Sequence, residues 1–167
     1  KIYYNLALSL DTTGDRAGER EALEKAIQLA PKLPLPQNQL GLLDLQDGNF
    51  EKAEGELKAA LSLDPQYAEA QNNLGVLYGR LGRNPEAEKL FRQAVEDNPK
   101  YAQAFVNLAL VLASQNRFPE AAAELEKAIA IAPSSTSALT ALGMVEARLG
   151  KTGEAIVQFR KVIELDP

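Results

Sequence analysis

Apolar residues in the middle of the chain fall at helical spacing in two short segments. The first segment places them at steps of three, one and three residues, which predicts one apolar helix face. Its apolar residues are Leu74, Leu77, Tyr78 and Leu81. The apolar residues of the second segment are Ala87, Leu90, Phe91, Ala94 and Val95. Gly82 interrupts the pattern between them, so two helices joined by a turn are predicted.

Local residues predict where the second helix begins and ends. Asn84 is a suitable N-cap, and Pro85 suits the first helical position, where its missing N–H leaves no bond unmade. Asn98 precedes Pro99, and a residue before proline is disfavoured in the α conformation. The segment is therefore predicted to be a helical hairpin with one apolar side.

The hairpin pattern recurs every 34 residues, which is the primary finding of the sequence. Proline recurs as Pro31, Pro65, Pro99, Pro133 and Pro167. Leucine recurs as Leu6, Leu40, Leu74, Leu108 and Leu142, and each is followed by Ala or Gly. The turn residues are Gly14, Gly48, Gly82, Asn116 and Gly150. We divide the chain into one domain of five repeats, at residues 1–33, 34–67, 68–101, 102–135 and 136–167.

This unit resembles the tetratricopeptide repeat, whose pattern is x-x-x-L-G-x-x-Y, then A-x-x-x-F, then proline. The third repeat matches with Leu74, Gly75, Tyr78, Ala87, Phe91 and Pro99. The resemblance covers essentially all 167 residues. It implies an all-α fold, an α-solenoid of about ten antiparallel helices in a right-handed superhelix, with the first helix of each repeat on the concave face. It also implies binding of proteins or peptides, the main activity of that family.

Composition excludes several classes of function. The net charge of −5 provides no basic face for phosphates, so duplex DNA or RNA is not the expected ligand. The absence of His and Cys removes the common nucleophilic triads and most structural zinc sites. No phosphate-binding glycine loop and no apolar run long enough to cross a membrane is present. We therefore expect a soluble non-enzyme without cofactors. The sequence leaves its compartment unknown, and we favour the cytoplasm over the periplasm.

Several repeats depart from the pattern. Glu19 stands where later repeats have a small alanine, so the first hairpin is expected to be the least regular. Asp44 and Glu146 stand at the place of Tyr78, which makes those helix contacts more polar. Gly55 interrupts a predicted helix at a cost of about 1 kcal/mol relative to Ala. Stability is expected to centre on the third and fourth repeats.

Carboxamides stand before the recurring leucine in four of the five repeats. They are Asn5, Gln39, Asn73 and Asn107, and Ala141 takes this place in the fifth repeat. A carboxamide donates and accepts hydrogen bonds, so a row of them suits the backbone of an extended peptide. The row is similar to the asparagine ladder in the repeats of the peptide O-linked N-acetylglucosamine transferases. The neighbouring Asn38 and Asn72 also favour a polar groove, although Asn at this place is alternatively a local structural residue.

Basic and apolar residues supply two further interpretations of the predicted groove. Arg80 together with Asn73 is a candidate grip for one acidic group, the alternative being a solvated arginine. A clamp of basic residues for a terminal carboxylate is not matched, because only Arg80 and Arg148 are basic at such places.

An apolar line follows the first helices at Leu8, Leu42, Val76, Leu110 and Met144. We favour packing between neighbouring helices for this line over a floor for apolar side chains of a ligand.

The predicted function is a non-catalytic interaction scaffold that binds an extended peptide or a partner helix in the concave groove. One alternative is a recognition arm of a larger enzyme or secretion machine, such as a glycosyltransferase. Another is a self-assembly module that stacks end to end. The last helix carries an apolar stripe of Ala155, Phe159, Val162 and Ile163 with no following repeat. We therefore expect more chain beyond Pro167, or a cover from another molecule, such as the face of Ile2, Tyr3 and Tyr4.

Overall fold

The computed structural model describes residues 1–166, and it contains ten α-helices and no strand within that range. Pro167, the last recurring proline, lies outside the described residues. The first helices of the repeats are α1 (Ile2–Thr13), α3 (Pro34–Gln46), α5 (Ala68–Arg80), α7 (Ala102–Ser114) and α9 (Thr136–Arg148). The second helices are α2 (Arg16–Leu29), α4 (Phe50–Leu63), α6 (Asn84–Asp97), α8 (Phe118–Ile131) and α10 (Thr152–Leu165). The all-α prediction and the helix–turn–helix pattern are confirmed.

The turn inside each repeat uses a left-handed backbone residue. The φ angles of the four turn glycines lie between 73° and 79°. Asn116 takes the same place with a φ of 60°, a region that asparagine tolerates better than most side chains. The predicted cap of α6 is wrong, because the helix begins at Asn84 and Arg83 precedes it without a side-chain cap.

The chain consists of two compact units, Lys1–Leu81 and Gly82–Pro167, and the second is described through residue 166. We call them the N-terminal and C-terminal units. In the N-terminal unit, each helix from α1 to α4 contacts the helix that follows it, and α3 also contacts α5. In the C-terminal unit, each helix from α6 to α9 contacts the helix that follows it, and α7 also contacts α9. First helices therefore lie side by side within each unit, at α3 with α5 and at α7 with α9.

The residue after the recurring leucine is small because a second helix crosses it closely. A Cβ atom added to Gly41 would lie 2.7 Å from Cγ of Leu57 in α4. A Cβ atom added to Gly143 would lie 2.8 Å from Cε1 of Phe159 in α10. Real Cβ atoms do not approach neighbours this closely, so a larger residue forces the helices apart.

Helix α1 buries fewer residues than the first helix of any other repeat. This agrees with the expectation that the first repeat is the least regular. Helix α1 buries only Ala7, whereas α3, α5, α7 and α9 each bury at least seven residues. Leu6 is 45% exposed, although the equivalent leucines of later repeats are at most 5% exposed. The half-buried Glu19 has a raised pKa because of burial and the nearby Asp11 carboxylate. This hairpin therefore has less apolar burial than the others.

The apolar stripe of α10 is only partly covered within the described residues. Ala155 is buried and Phe159 is half-buried against α9. Ile163 remains 64% exposed, and Ile156 and Val157 are also exposed.

Candidate peptide-binding site

In the N-terminal unit, Asn73 is held by a hydrogen bond to the preceding repeat. Its Nδ2 atom donates to Oδ1 of Asn38 on α3 at 3.0 Å. Asn38 is 4% exposed, and its Nδ2 atom lies 3.5 Å from the Tyr67 hydroxyl. Because Asn38 is buried and partnered, it fixes the rotamer of the half-buried Asn73 amide.

Asn38 and Asn72 do not line a surface, although the sequence placed them among the candidate groove residues. Asn72 is 3% exposed, and its Nδ2 atom lies 3.5 Å from Oδ1 of Asn73. Both side chains lie behind Asn73 and contact it from inside the helix layer. Because both side chains are buried, they cannot contact a peptide directly unless the helices separate. Their hydrogen-bond contacts instead position the Asn73 amide.

The other two carboxamides of the N-terminal unit have no internal hydrogen bond from their side chains. Gln39 is half-buried on α3, and Asn5 is exposed on α1. Neither side chain has a partner among the described residues. Gln39 therefore keeps two donors and an acceptor oxygen available at a partly covered position.

In the C-terminal unit the carboxamide row has one member. Asn107 on α7 is half-buried, and its Oδ1 atom accepts from Nε2 of Gln103 at 3.1 Å. Ala141 takes the equivalent place on α9 and is 7% exposed. The row is therefore interrupted at α9.

The two basic candidates differ in their partners. Nη1 of Arg80 donates to the main-chain oxygen of Leu45 at 3.1 Å, so Arg80 satisfies a carbonyl at the end of α3. Arg148 is exposed at the end of α9 and has neither a hydrogen bond nor an ion pair from its side chain among the described residues. The carbonyl contact of Arg80 was not visible in the sequence, since it joins residues 35 positions apart.

The apolar line of the first helices is not buried by helix packing. Met144 is 61% exposed, Leu110 is 51% exposed and Leu8 is 39% exposed. Leu42 and Val76 are half-buried. Packing between neighbouring helices therefore covers this line only in part, and Leu8, Leu110 and Met144 keep a large exposed fraction.

Asp44 is charged and partnered at the place of the pattern tyrosine. It is 1% exposed, and Nη2 of Arg20 donates to its Oδ1 atom at 2.9 Å while Nη1 donates to Oδ2 at 3.1 Å. Burial opposes its ionisation, but the hydrogen bonds from Arg20 and Asn49 outweigh burial and lower its pKa. Asp44 is thus a structural ion-pair partner with no free oxygen for chemistry.

Glu146 occupies the same place in the last repeat without such a partner. It is 7% exposed, and Nε2 of Gln158 lies 3.5 Å from its Oε1 atom. Its Oε2 atom is buried without a hydrogen-bond partner. Burial therefore raises its pKa, although Gln158 acts in the opposite direction. The carboxylate faces α10 within the hairpin and does not reach the surface of the first helices.

Among residues 1–166, no group of three or more His, Cys, Asp or Glu side chains is arranged to hold a metal ion. No helix in that range is long and apolar enough to cross a membrane.

Comparison with protein families gives one consistent result. Family models described as tetratricopeptide repeat match residues 34–97, residues 76–136, and the two stretches 1–33 and 136–167. Together these matches include every residue of the chain. A comparison with curated protein sequences finds no significant match.

Solved structures with the same fold were found at high structural similarity. MamA is 27% identical, with a TM-score of 0.79 over 96% of this chain and 94% of MamA. PilW, described as a widely conserved type IV pilus biogenesis factor, is 28% identical, with a TM-score of 0.89 over 98% of this chain and 76% of PilW. YrrB, described as a TPR protein with an unusual peptide-binding site, is 19% identical, with a TM-score of 0.72 over 99% of this chain and 85% of YrrB. At that identity YrrB shows the fold alone. The fold class is therefore an all-α solenoid.

Proposed function

Since the chain belongs to the tetratricopeptide repeat family, we propose that it is a non-catalytic interaction scaffold whose first helices bind an extended peptide. The peptide main chain pairs with the carboxamides that precede the recurring leucines. Side chains of the peptide contribute less, because a carboxamide recognises the N–H and C=O groups that every residue shares.

The observation that carries this proposal is the fixed amide of Asn73. A carboxamide has two N–H donors and an oxygen with two lone pairs. Asn38 takes one donor of Asn73, and Asn72 lies at one lone pair. The Asn73 amide therefore keeps one N–H donor and one lone pair of its oxygen. These can pair with the C=O and N–H groups of a peptide main chain. Because the buried Asn38 holds the rotamer, little side-chain entropy is lost when the peptide binds.

Gln39 adds a second carboxamide on the adjacent helix of the same unit. Helices α3 and α5 contact each other, so Gln39 and Asn73 lie on neighbouring first helices. Gln39 has no internal partner to lose, whereas removal of Asn73 leaves Oδ1 of the buried Asn38 without its donor. An Asn73 variant therefore changes stability as well as binding, and Gln39 is the better residue for a test.

The test begins with selection of binders from a random peptide library displayed on phage. Selected peptides are synthesised with single N-methylated main-chain amides and, separately, with single alanine substitutions. If the main chain carries recognition, N-methylation at two or more positions weakens binding while most alanine substitutions do not. Gln39→Ala should weaken the same peptides about 2- to 13-fold, as expected for one hydrogen bond.

Gln66→Ala is the matched control, because Gln66 is an exposed glutamine outside the helices of the same unit. Affinity that depends only on peptide side chains, with no effect of N-methylation or of Gln39→Ala, would refute main-chain recognition.

A further inference from the structure

We propose that the C-terminal unit holds a side-chain pocket for a large apolar residue that is followed by an acidic residue in the bound peptide. The proposal rests on the peptide-binding function above and adds a sequence preference to it. The pocket has a volume of about 240 Å³ between α7 and α9. Its walls include Leu110, Ala113, Phe118, Ala141 and Met144, with Arg148 at its side.

Ala141, which stands where other repeats have a carboxamide, lines this pocket. Residues 107 and 110 on α7 are three positions apart, as are 141 and 144 on α9, so each pair shares a helix face. This face is the one that carries Asn107. Ala141 and Leu110 both line the pocket, and the methyl group of Ala141 fills less of this space than a carboxamide.

The size and lining of the pocket select one apolar side chain. An apolar cavity of about 150 Å³ already accepts a benzene-sized ring, whereas sites for drug-sized ligands usually exceed about 300 Å³. Leu110 and Met144 are 51% and 61% exposed, so they keep much of their apolar surface in water. Covering them with a leucine, methionine or phenylalanine of a ligand removes that surface from water.

Charge complementarity selects the acidic neighbour. Helix α7 carries no charged residue, and α9 carries only Glu146 and Arg148. Glu146 is buried against Gln158 of α10. Arg148 is therefore the only exposed charge on these two helices, and its guanidinium has no partner among the described residues. A carboxylate next to the pocket satisfies this cation, and an acidic side chain supplies it without ending the peptide.

The sequence provides a specific probe, because Met144 is its only methionine. Protein labelled with ¹³C at the methionine methyl group gives one signal from the pocket, assigned by its loss in Met144→Leu. Acetylated and amidated Gly/Ser peptides with a central Leu-Asp, Leu-Asn or Ser-Asp pair are titrated. A fourth peptide ends in leucine with a free carboxylate.

The Leu-Asp peptide should shift the Met144 signal saturably and bind about 2- to 5-fold more tightly than the Leu-Asn peptide, as expected for an exposed ion pair. The Ser-Asp peptide should give no saturable shift. Arg148→Gln should abolish the preference for Asp, while Arg160→Gln, at an exposed arginine of α10, should retain it. Ala141→Asn should close the pocket with little risk to folding, since Asn73 and Asn107 occupy this place in other repeats.

Equal binding of Leu-Asp and Leu-Asn, an equal response to Ser-Asp, or no shift with any peptide would overturn the proposal. Tighter binding of the peptide with the free terminal carboxylate would overturn the choice of an acidic side chain. The two proposals fail separately. If N-methylation is harmless while the Leu-Asp preference persists, main-chain recognition is wrong and the pocket stands. If N-methylation weakens binding and no Leu-Asp preference exists, the pocket alone is wrong.

Discussion

Replacing Glu146 by glutamine should stabilise the protein at neutral pH. The Glu146 side chain is 7% exposed, its Oε2 atom has no hydrogen-bond partner, and its one contact to Gln158 is long at 3.5 Å. A buried group without its hydrogen bonds costs about 1–3 kcal/mol, and more if it is charged. Glutamine keeps the shape and leaves one polar atom unpartnered as before, but it removes the charge, so Glu146→Gln should raise the free energy of unfolding by on the order of 1 kcal/mol at pH 7.

The gain should depend on pH in a defined direction. Burial holds the pKa of Glu146 above its ordinary value of 4.5, and the nearby Glu154 carboxylate adds to this. The folded protein therefore binds the proton more tightly than the unfolded chain. Stability linked to Glu146 is fully present below about pH 4.5 and is lost as the pH rises through the folded pKa. The advantage of Glu146→Gln should be largest at pH 7, should shrink as the pH falls through the raised folded pKa, and should be absent below about pH 4.5.

The assay is urea unfolding of wild type and variant, followed by circular dichroism, at several pH values. Because repeats can unfold separately, hydrogen exchange of α9 and α10 should accompany it and report the local change. Glu164→Gln is the matched control, as Glu164 is an exposed glutamate on α10. Equal or lower stability of Glu146→Gln at pH 7, with the control unchanged, would refute the reasoning.

Three other substitutions or measurements test the packing. Arg20→Ala should destabilise the N-terminal unit by about 3–5 kcal/mol in urea unfolding, because it leaves the buried Asp44 charge without its main partner; a loss below 1 kcal/mol would contradict this. Gly143→Ala should cost about 1–3 kcal/mol, since its Cβ would meet the Phe159 ring, whereas Gly55→Ala should add about 0.5–1 kcal/mol at an open helical position; the opposite order would be inconsistent with these contacts. Hydrogen exchange should find the slowest amides in α5 to α8, and slowest exchange in α1 and α2 would contradict that expectation.

The helices were predictable because the pattern repeats and each turn has a local cause. Gly14, Gly48, Gly82 and Gly150 adopt positive φ, and Asn116 replaces glycine where a left-handed residue is needed. The low burial of α1 agrees with the expectation that the first repeat is the least regular, but no contact of Glu19 accounts for it.

The contacts of the candidate site were not predictable in the same way. The bond between Asn73 and Asn38 joins two repeats, and the burial of Asn38 depends on how α3 and α5 pack. Leu110 and Met144 are likewise exposed although α7 and α9 contact each other, and hydrophobic periodicity does not determine which residues such a contact covers. Periodicity identifies the face on which a residue lies, but the neighbouring helix decides whether that face is covered.

The pKa values of Asp44 and Glu146 shift in opposite directions because only Asp44 has a polar partner 24 residues earlier in the chain. We call this spacing the partner rule. Arg20 binds Asp44, and Glu54 accepts a hydrogen bond of 2.9 Å from the Tyr78 hydroxyl, both at this separation. The residue 24 positions before Glu146 is Ala122, which is buried and offers no polar group. The raised pKa of Glu146 and the lowered pKa of Asp44 thus follow from the residue on the preceding second helix.

This rule gives a final prediction, that Ala122→Arg reverses the effect of Glu146→Gln. With arginine at 122 the carboxylate gains a partner equivalent to Arg20, so glutamine at 146 should then destabilise the protein at pH 7. A double-mutant cycle in urea should give a favourable coupling of about 0.5–3 kcal/mol between Arg and Glu. The coupling should be lost only in acid, where Glu146 protonates, and the arginine should move that protonation to a lower pH than in the wild type, as Arg20 does for Asp44. Ala122→Met controls for added side-chain volume without charge, and a coupling indistinguishable from zero in the arginine cycle would show that the two positions do not act as partners.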